Sequence, residues 1–342
     1  MGDQSFRPQR QNRSAPTAPH SPARQRDAHA RHFAALDLGT NNCRLLIARP
    51  QGDGFTVIDA FSRIVRLGEG LAASGRLSDA AIDRTLSALA ICADKLKRRH
   101  VYLARSVATE ACRRASNGTE FIERVQRETG IRLDIISAEE EARLAVLGCH
   151  VLLEPGEGPA LVFDIGGGST ELVLIDTTTT VPRVMDWHSA PWGVVSLTES
   201  VGTTPGDLAG TYARMRALAR ESFAPFAARL PRDIAVPRLL GTSGTVTTLA
   251  SVHLGLPQYD RGLVDGLIAP TAAMRAISQD LAGKTMAERA KLPCIGMERA
   301  DLVVAGCAIL ESILDIWPAE RLGIADRGIR EGILRRLMGS DT

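Results

Sequence analysis

The sequence predicts an α/β protein made of two related halves that face each other across a cleft. From Phe33 onward, short apolar runs alternate with helical patterns. One such run, with its turn, recurs 127 residues further on. The chain has 342 residues, 44% hydrophobic and 23% charged, enough for roughly two domain cores.

Residues 1–31 stand apart. They are rich in Pro, Arg, Gln and Ser and carry six Arg against Asp3 and Asp27. With almost no large apolar side chains, nothing there offsets the entropy of ordering, so a disordered basic tail is expected. Removing it from the 41 basic and 39 acidic residues leaves 35 and 37, so the summed +2 conceals a body at −2. That balance disfavours a nucleic-acid binder. No apolar run reaches the ~18 residues of a membrane span and no signal sequence opens the chain, so no membrane partner is expected. Six scattered cysteines, without a C-x-x-C pair or zinc spacing, fit reduced thiols and hence a cytoplasmic location.

Strands are expected over 33–38, 43–49, 55–60, 101–107, 132–136, 160–165, 171–176, 183–188 and 236–241. A helix is expected over about 79–99, with Ser78 as N-cap, a stripe through Ile82, Leu86, Leu89, Ala93 and Leu96, and basic residues in its last turn. Another is expected over 120–129, between Thr119 and Gly130.

The repeat pairs FAALDLGTNNCRLLIA at 33–48 with LVFDIGGGSTELVLI at 161–175. Each is an apolar strand ending in an acid, Asp37 or Asp164, then a small polar turn and a second apolar strand. Such a turn sets a carboxylate beside a row of backbone N–H groups. Gly166, Gly167 and Gly168 are expected to supply positive φ and close backbone approach, while Thr40, Ser169 and Thr170 add hydroxyls. A phosphate chain fits this nest, and the two acids suit Mg²⁺ shared with phosphate oxygens. Neither loop is a Walker P-loop, for G-x-x-x-x-G-K-[ST] is absent. Neither is a dinucleotide fingerprint, because each leads into a strand.

In ISAEEEARLAVLG at 136–148, Ser137 and Glu140 have capping-box spacing, which marks a helix start. Glu139 and Glu140 then serve macrodipole and cap. Glu141 lies about 100° further round the helix and is either a solvated first-turn acid or free to point elsewhere. Glu171 is a lone acid on the apolar face of TELVLI, which favours a metal or water contact. A third segment, GTSGT at 241–245, turns into a helical stretch, so Gly241, Thr242 and Ser243 form a candidate anion site at a helix N-terminus.

These loops resemble the actin-like phosphotransferase superfamily and, within it, the exopolyphosphatase/guanosine pentaphosphate phosphohydrolase (Ppx/GppA) family. The resembling segments are DLGTNNCRLLIA at 37–48, VATEACRRASN at 107–117, SAEEEARL at 137–144, FDIGGGSTEL at 163–172, GTSGT at 241–245 and ADRGIREG at 325–332. The resemblance implies two actin-like (ribonuclease H-like) domains, 32–150 and 151–342, with an interdomain cleft and a C-terminal helix packing back on the first domain. It implies Glu141 as general base, Asp37, Asp164 and Glu171 as metal-holding acids, and Gly39, Thr40, Asn41, Gly166, Gly167, Gly168 and Ser169 as phosphate contacts. Arg113, in the T-x-x-x-R segment from Thr109, matches an arginine that would fork phosphate oxygens near the reacting group.

The activity implied is release of terminal orthophosphate from inorganic polyphosphate, with guanosine pentaphosphate as the alternative substrate. The cofactor is Mg²⁺ or Mn²⁺, with K⁺ as a monovalent candidate, and a homodimer is compatible with the resemblance. Asn42 stands where the family usually has Ser or Thr. Since 342 residues leave no room for the helical C-terminal region of the long members, a short form is expected. A non-catalytic sensor would be expected to lack the acids, yet Glu141, Asp164 and Glu171 are all present. A kinase reading shares the two phosphate loops but is disfavoured by SAEEEAR and ADRGIREG.

Overall fold

The computed structural model describes residues 31–52, 54–179, 182–202, 206–230 and 238–339. The tail expected over 1–31 therefore lies, apart from Arg31, outside the described residues, as do the first two positions of the strand expected at 236–241.

All nine expected strands form: β1 (His32–Leu38), β2 (Asn42–Gln51), β3 (Gly54–Ile64), β4 (Val101–Ala108), β5 (Leu133–Ile135), β6 (Ala160–Ile165), β7 (Thr170–Asp176), β8 (Arg183–Ala190) and β9 (Arg238–Thr242). Two more, β10 (Ile268–Pro270) and β11 (Arg321–Ala325), join them. The first sheet has the order β3-β2-β1-β4-β5 and the second β10-β11-β9-β6-β7-β8. Leaving out β10, the two follow one plan: an antiparallel three-strand meander followed by two parallel strands. This is an α/β architecture of two halves built on one plan. Both first strands are central in their sheets, which explains their nearly unbroken apolar runs.

Each sheet is sealed by helices. Helix α1 (Asp79–Arg98) begins at Ser78, whose Oγ accepts from the Ala81 N–H at 3.3 Å. Its buried stripe of Ile82, Leu86 and Leu89 meets Leu36, Leu45 and Ile47 of the first sheet. Each such side chain contributes about 1.5–3 kcal/mol when fully buried. The short helix α2 (Glu110–Arg114) follows β4. Helix α3 (Gly118–Thr129) starts earlier than Thr119, because the Asn117 amide clasps both backbone groups of Leu77 instead of capping. It stops at Gly130, whose φ is 75°.

Helix α4 (Ala138–Cys149) joins the halves. Leu144 and Ala145 pack with Phe33, Ala35 and Val107 of the first sheet, whereas Ala142, Val146 and Cys149 pack with Val162, Val173 and Leu240 of the second. In the second half lie α5 (Val194–Val201), α6 (Leu208–Arg229), α7 (Gly244–His253), α8 (Thr271–Gly283) and α9 (Val303–Ile316). The last helix, α10 (Ile329–Gly339), returns to β1 and lies across α4. The crossing is so close that a Cβ on Gly148 would sit 1.9 Å from the Gly328 carbonyl oxygen, and one on Gly332 2.0 Å from that of Leu144. All six cysteines are free thiols. Among the described residues no helix is long and apolar enough to cross a membrane.

Candidate active site

The two hairpins meet tip to tip. In the first, the Gly39 N–H bonds the Asn42 carbonyl at 2.9 Å; in the second, the Gly166 N–H bonds that of Ser169 at 3.0 Å. The glycines of the second loop are not there for positive φ, because none of Gly166, Gly167 and Gly168 adopts it. They are there for contact. A Cβ on Gly167 would lie 3.0 Å from Thr40 Cβ, and one on Gly168 2.6 Å from Thr40 Oγ1.

Helix α5 holds the second loop from behind. The Val194 and Val195 N–H groups donate to the carbonyls of Gly166 and Gly167 at 2.9 and 2.8 Å, and Ser196 Oγ donates to that of Gly168 at 2.9 Å. Since a trans peptide points its N–H opposite its C=O, the N–H groups of Gly167, Gly168 and Ser169 are turned away from α5, toward the cleft these residues line.

Asp37 and Asp164, next to last in β1 and β6, line the same cleft as this nest. One carboxylate oxygen of each, and the Asn41 Oδ1, is buried without a hydrogen-bond partner. Burial pushes both acids above the usual carboxylate range, Asp164 to about 6, with Arg44 opposing the shift. Orphaned carboxylate oxygens flanking an anion nest suit a hard cation that completes its shell with water and phosphate oxygens, as Mg²⁺ does with one or two carboxylates. That donor set fits the magnesium expectation. Among the described residues no three His, Cys, Asp or Glu side chains converge as a self-sufficient metal cage.

Glu171 is 2% exposed, and one of its oxygens accepts from Ser169 Oγ at 2.7 Å and Ser189 Oγ at 2.9 Å. Burial, and then the charge of Asp164, raises its pKa to about 7. Glu141 sits in the first turn of α4, 8% exposed, and is raised well above the usual range by burial, then by Glu171, against the pull of Arg113. It is thus a buried cleft residue and not a solvated first-turn acid. Glu140, by contrast, makes only half of the expected capping box. Ser137 Oγ accepts from its N–H at 3.2 Å, but its carboxylate is taken by Arg105 and Arg336 at 3.1 and 2.5 Å.

Arg113 differs most from its expected place. Its Nη1 and Nη2 each reach Glu141 Oε2 at 3.2 Å, Nη1 also reaches the Ile136 carbonyl at 2.7 Å, and Nε and Nη2 reach Glu110 Oε2 at 3.1 and 2.5 Å. All five N–H donors of the guanidinium are therefore engaged within the protein. In this arrangement it orients Glu141 and does not line the cleft.

The third segment divides. Thr242 and Ser243 line the cleft, and Ser243 hydrogen-bonds Asp164. Its φ of 82° with ψ of −176° is a conformation close to glycine-only, so the backbone there is strained. Gly241 does not line the cleft. It lies within β9 under the Phe163 ring, where a Cβ would come within 2.7 Å of two ring carbons.

Three cleft cations escaped the sequence reading, Arg44 on β2, Arg327 in the turn before α10 and Arg330 on α10. Arg44 was recognisable as a lone charge in an apolar strand. Arg330 lay in the quoted ADRGIREG segment without an assigned role, and its burial depresses its pKa. Beyond Asn41 and Ser243 the cleft opens into a less polar lobe between Ile64, Val194, Thr245 and Leu302, with Arg299 at its edge.

The Ppx/GppA phosphatase family model matches residues 46–341. Over 320 residues the chain is 32% identical to exopolyphosphatase 2 of Mycobacterium tuberculosis, which covers 90% of this chain and 98% of that protein. It is 29% identical over 314 residues to the guanosine-5'-triphosphate,3'-diphosphate pyrophosphatase of Aeromonas hydrophila, covering 90% of this chain and 60% of that one. The crystal structure of the Aquifex aeolicus Ppx/GppA family member superposes with a TM-score of 0.75 at 30% identity, over 91% of this chain and 99% of that one. With a family match spanning most of its length, this chain belongs to the Ppx/GppA phosphatase family.

Proposed function

We propose that the protein is a Mg²⁺-dependent exopolyphosphatase that releases orthophosphate from the end of an inorganic polyphosphate chain. The observation that carries this reading is the pair of orphaned carboxylate oxygens, on Asp37 and Asp164, flanking a nest of backbone N–H groups with Glu141 buried beside it. Names of relatives, exopolyphosphatase and guanosine-5'-triphosphate,3'-diphosphate pyrophosphatase, support phosphoanhydride chemistry.

In this reading the loop N–H groups and Arg44 bind the terminal phosphoryl oxygens, and Asp37 and Asp164 hold the metal. When bound, magnesium supplies charge neutralisation at the phosphoryl oxygens. Glu141, oriented by Arg113, takes a proton from a water in line with the scissile bond; its raised pKa makes it a stronger base than an exposed carboxylate. The shortened chain leaves with its new terminal phosphate exposed.

The less polar lobe beside Thr245 and Arg299 favours a second substrate, guanosine pentaphosphate, since a nucleoside would suit its apolar walls better than a bare phosphate chain would. Phosphate release from tripolyphosphate, long-chain polyphosphate and guanosine pentaphosphate, each with and without Mg²⁺, tests both readings. No release from any of the three would overturn them.

A further inference from the structure

Glu110 is a carboxylate on the wall of a cleft read here as binding phosphate, and charge repulsion alone makes that placement unfavourable. What it does there follows from its partners. Its Oε2 accepts from Nε and Nη2 of Arg113 at 3.1 and 2.5 Å, the pairing a phosphoryl group would make with the same edge. Its Cγ lies 2.9 Å from where a Cβ on Gly168 would be, so it stands against the second phosphate loop. The other oxygen, Oε1, lies 3.9 Å from Nε of Arg114, one residue further along α2. Arg114 is 43% exposed on its side chain, Arg113 22%.

We propose that Glu110 is an exchangeable stand-in for the phosphoryl group. It occupies the cleft-side edge of Arg113 and yields that edge to phosphate oxygens by turning to Arg114, while Arg113 keeps its other N–H groups on Glu141 and the Ile136 carbonyl. Two arginines at i+3 and i+4 give one carboxylate two seats a side-chain rotation apart. The exchange makes Glu110 a specificity residue: only an anion that outcompetes a carboxylate gains the fork. No donor of Arg113 is otherwise spare.

The inference rests on the phosphoanhydride reading and has its own test. Binding of inorganic phosphate to the Mg²⁺-loaded protein is measured by calorimetry for wild type, E110Q, E110D and R114Q, each also in an R113A background. Removing the competing charge in E110Q tightens the phosphate dissociation constant on the order of fivefold. E110D, which keeps the charge, stays near wild type, and R114Q, which removes the second seat, weakens binding. Both shifts vanish with R113A. Unchanged or weaker binding in E110Q overturns the proposal, as does an E110Q effect that persists without Arg113. A wild type that neither binds phosphate nor releases it from tripolyphosphate overturns the hydrolase reading itself, so the two failures are distinguishable.

Discussion

Arg44 and Glu171 occupy the same place in the two halves of the molecule. Each lies directly across its hairpin from the acid next to last in the preceding strand, Arg44 opposite Asp37 and Glu171 opposite Asp164. The repeat has thus kept its acid in both copies and reversed the charge of the residue facing it. One side of the cleft presents a cation, the other a carboxylate held by two serine hydroxyls.

Replacing Glu141 with Gln keeps its shape and removes its basicity. We expect turnover to fall about 10²–10⁴-fold, with tripolyphosphate binding retained. Steady-state phosphate release together with calorimetric binding checks this; activity near wild type would remove Glu141 from its role.

Asp164→Asn relieves one of the buried like charges that meet at the cleft. The metal-free protein should gain roughly 1 kcal/mol, or about 1–2 °C in Tm, while Mg²⁺-dependent phosphate release is lost. Scanning calorimetry and activity on one preparation separate the two effects.

Stability of the metal-free protein should depend on pH through Glu171. Its pKa rises from an ordinary 4.5 to about 7 in the folded state, so the fold binds this proton more tightly than the unfolded chain does. The stabilisation is complete below pH 4.5 and is lost as pH rises through 7. Asp164, raised from 3.8 to about 6, acts in the same direction. Thermal melts in chelator across this window should therefore fall with pH, and E171Q should flatten the slope; a rising slope contradicts it.

Gly148→Ala places a methyl group where only 1.9 Å separates it from a carbonyl oxygen of the crossing chain. Overpacking of this kind costs about 1–3 kcal/mol, readable as a lower urea midpoint. An unchanged midpoint would mean that α4 and α10 adjust their crossing freely.

How much of this was legible in the sequence depends on the kind of signal. Strands such as FAALDL and ELVLI declare themselves by apolar content, and the repeat revealed the paired hairpins. Strand β11 escaped because RLGIA is five residues long with a glycine inside, and β10 because it has only three residues and ends in proline. The three glycines at 166–168 were noticed for a conformational reason that does not apply; at Gly167 and Gly168 the reason is contact with Thr40 and Asn41, residues more than a hundred positions away. Arg113 is a similar case. Its motif and its i,i+3 partner Glu110 lie on one helix, but that Glu141 also engages its guanidinium depends on how α2 and α4 pack.

Helix α4 rests one face on each half of the protein and carries Glu141 in its first turn. At about 1.5 Å per residue its 12 residues form a rod of roughly 18 Å. From the Gly148 crossing to Glu141 the arm is about 10 Å, so a tilt of about 5° shifts the carboxylate by roughly 1 Å, and a misplacement of ~1 Å can slow chemistry about a hundredfold. Glu141, the proposed base, is thus mounted on a lever whose fulcrum is the Gly148–Gly332 crossing. A small change in the angle between the halves becomes a change in the aim of Glu141 into the cleft.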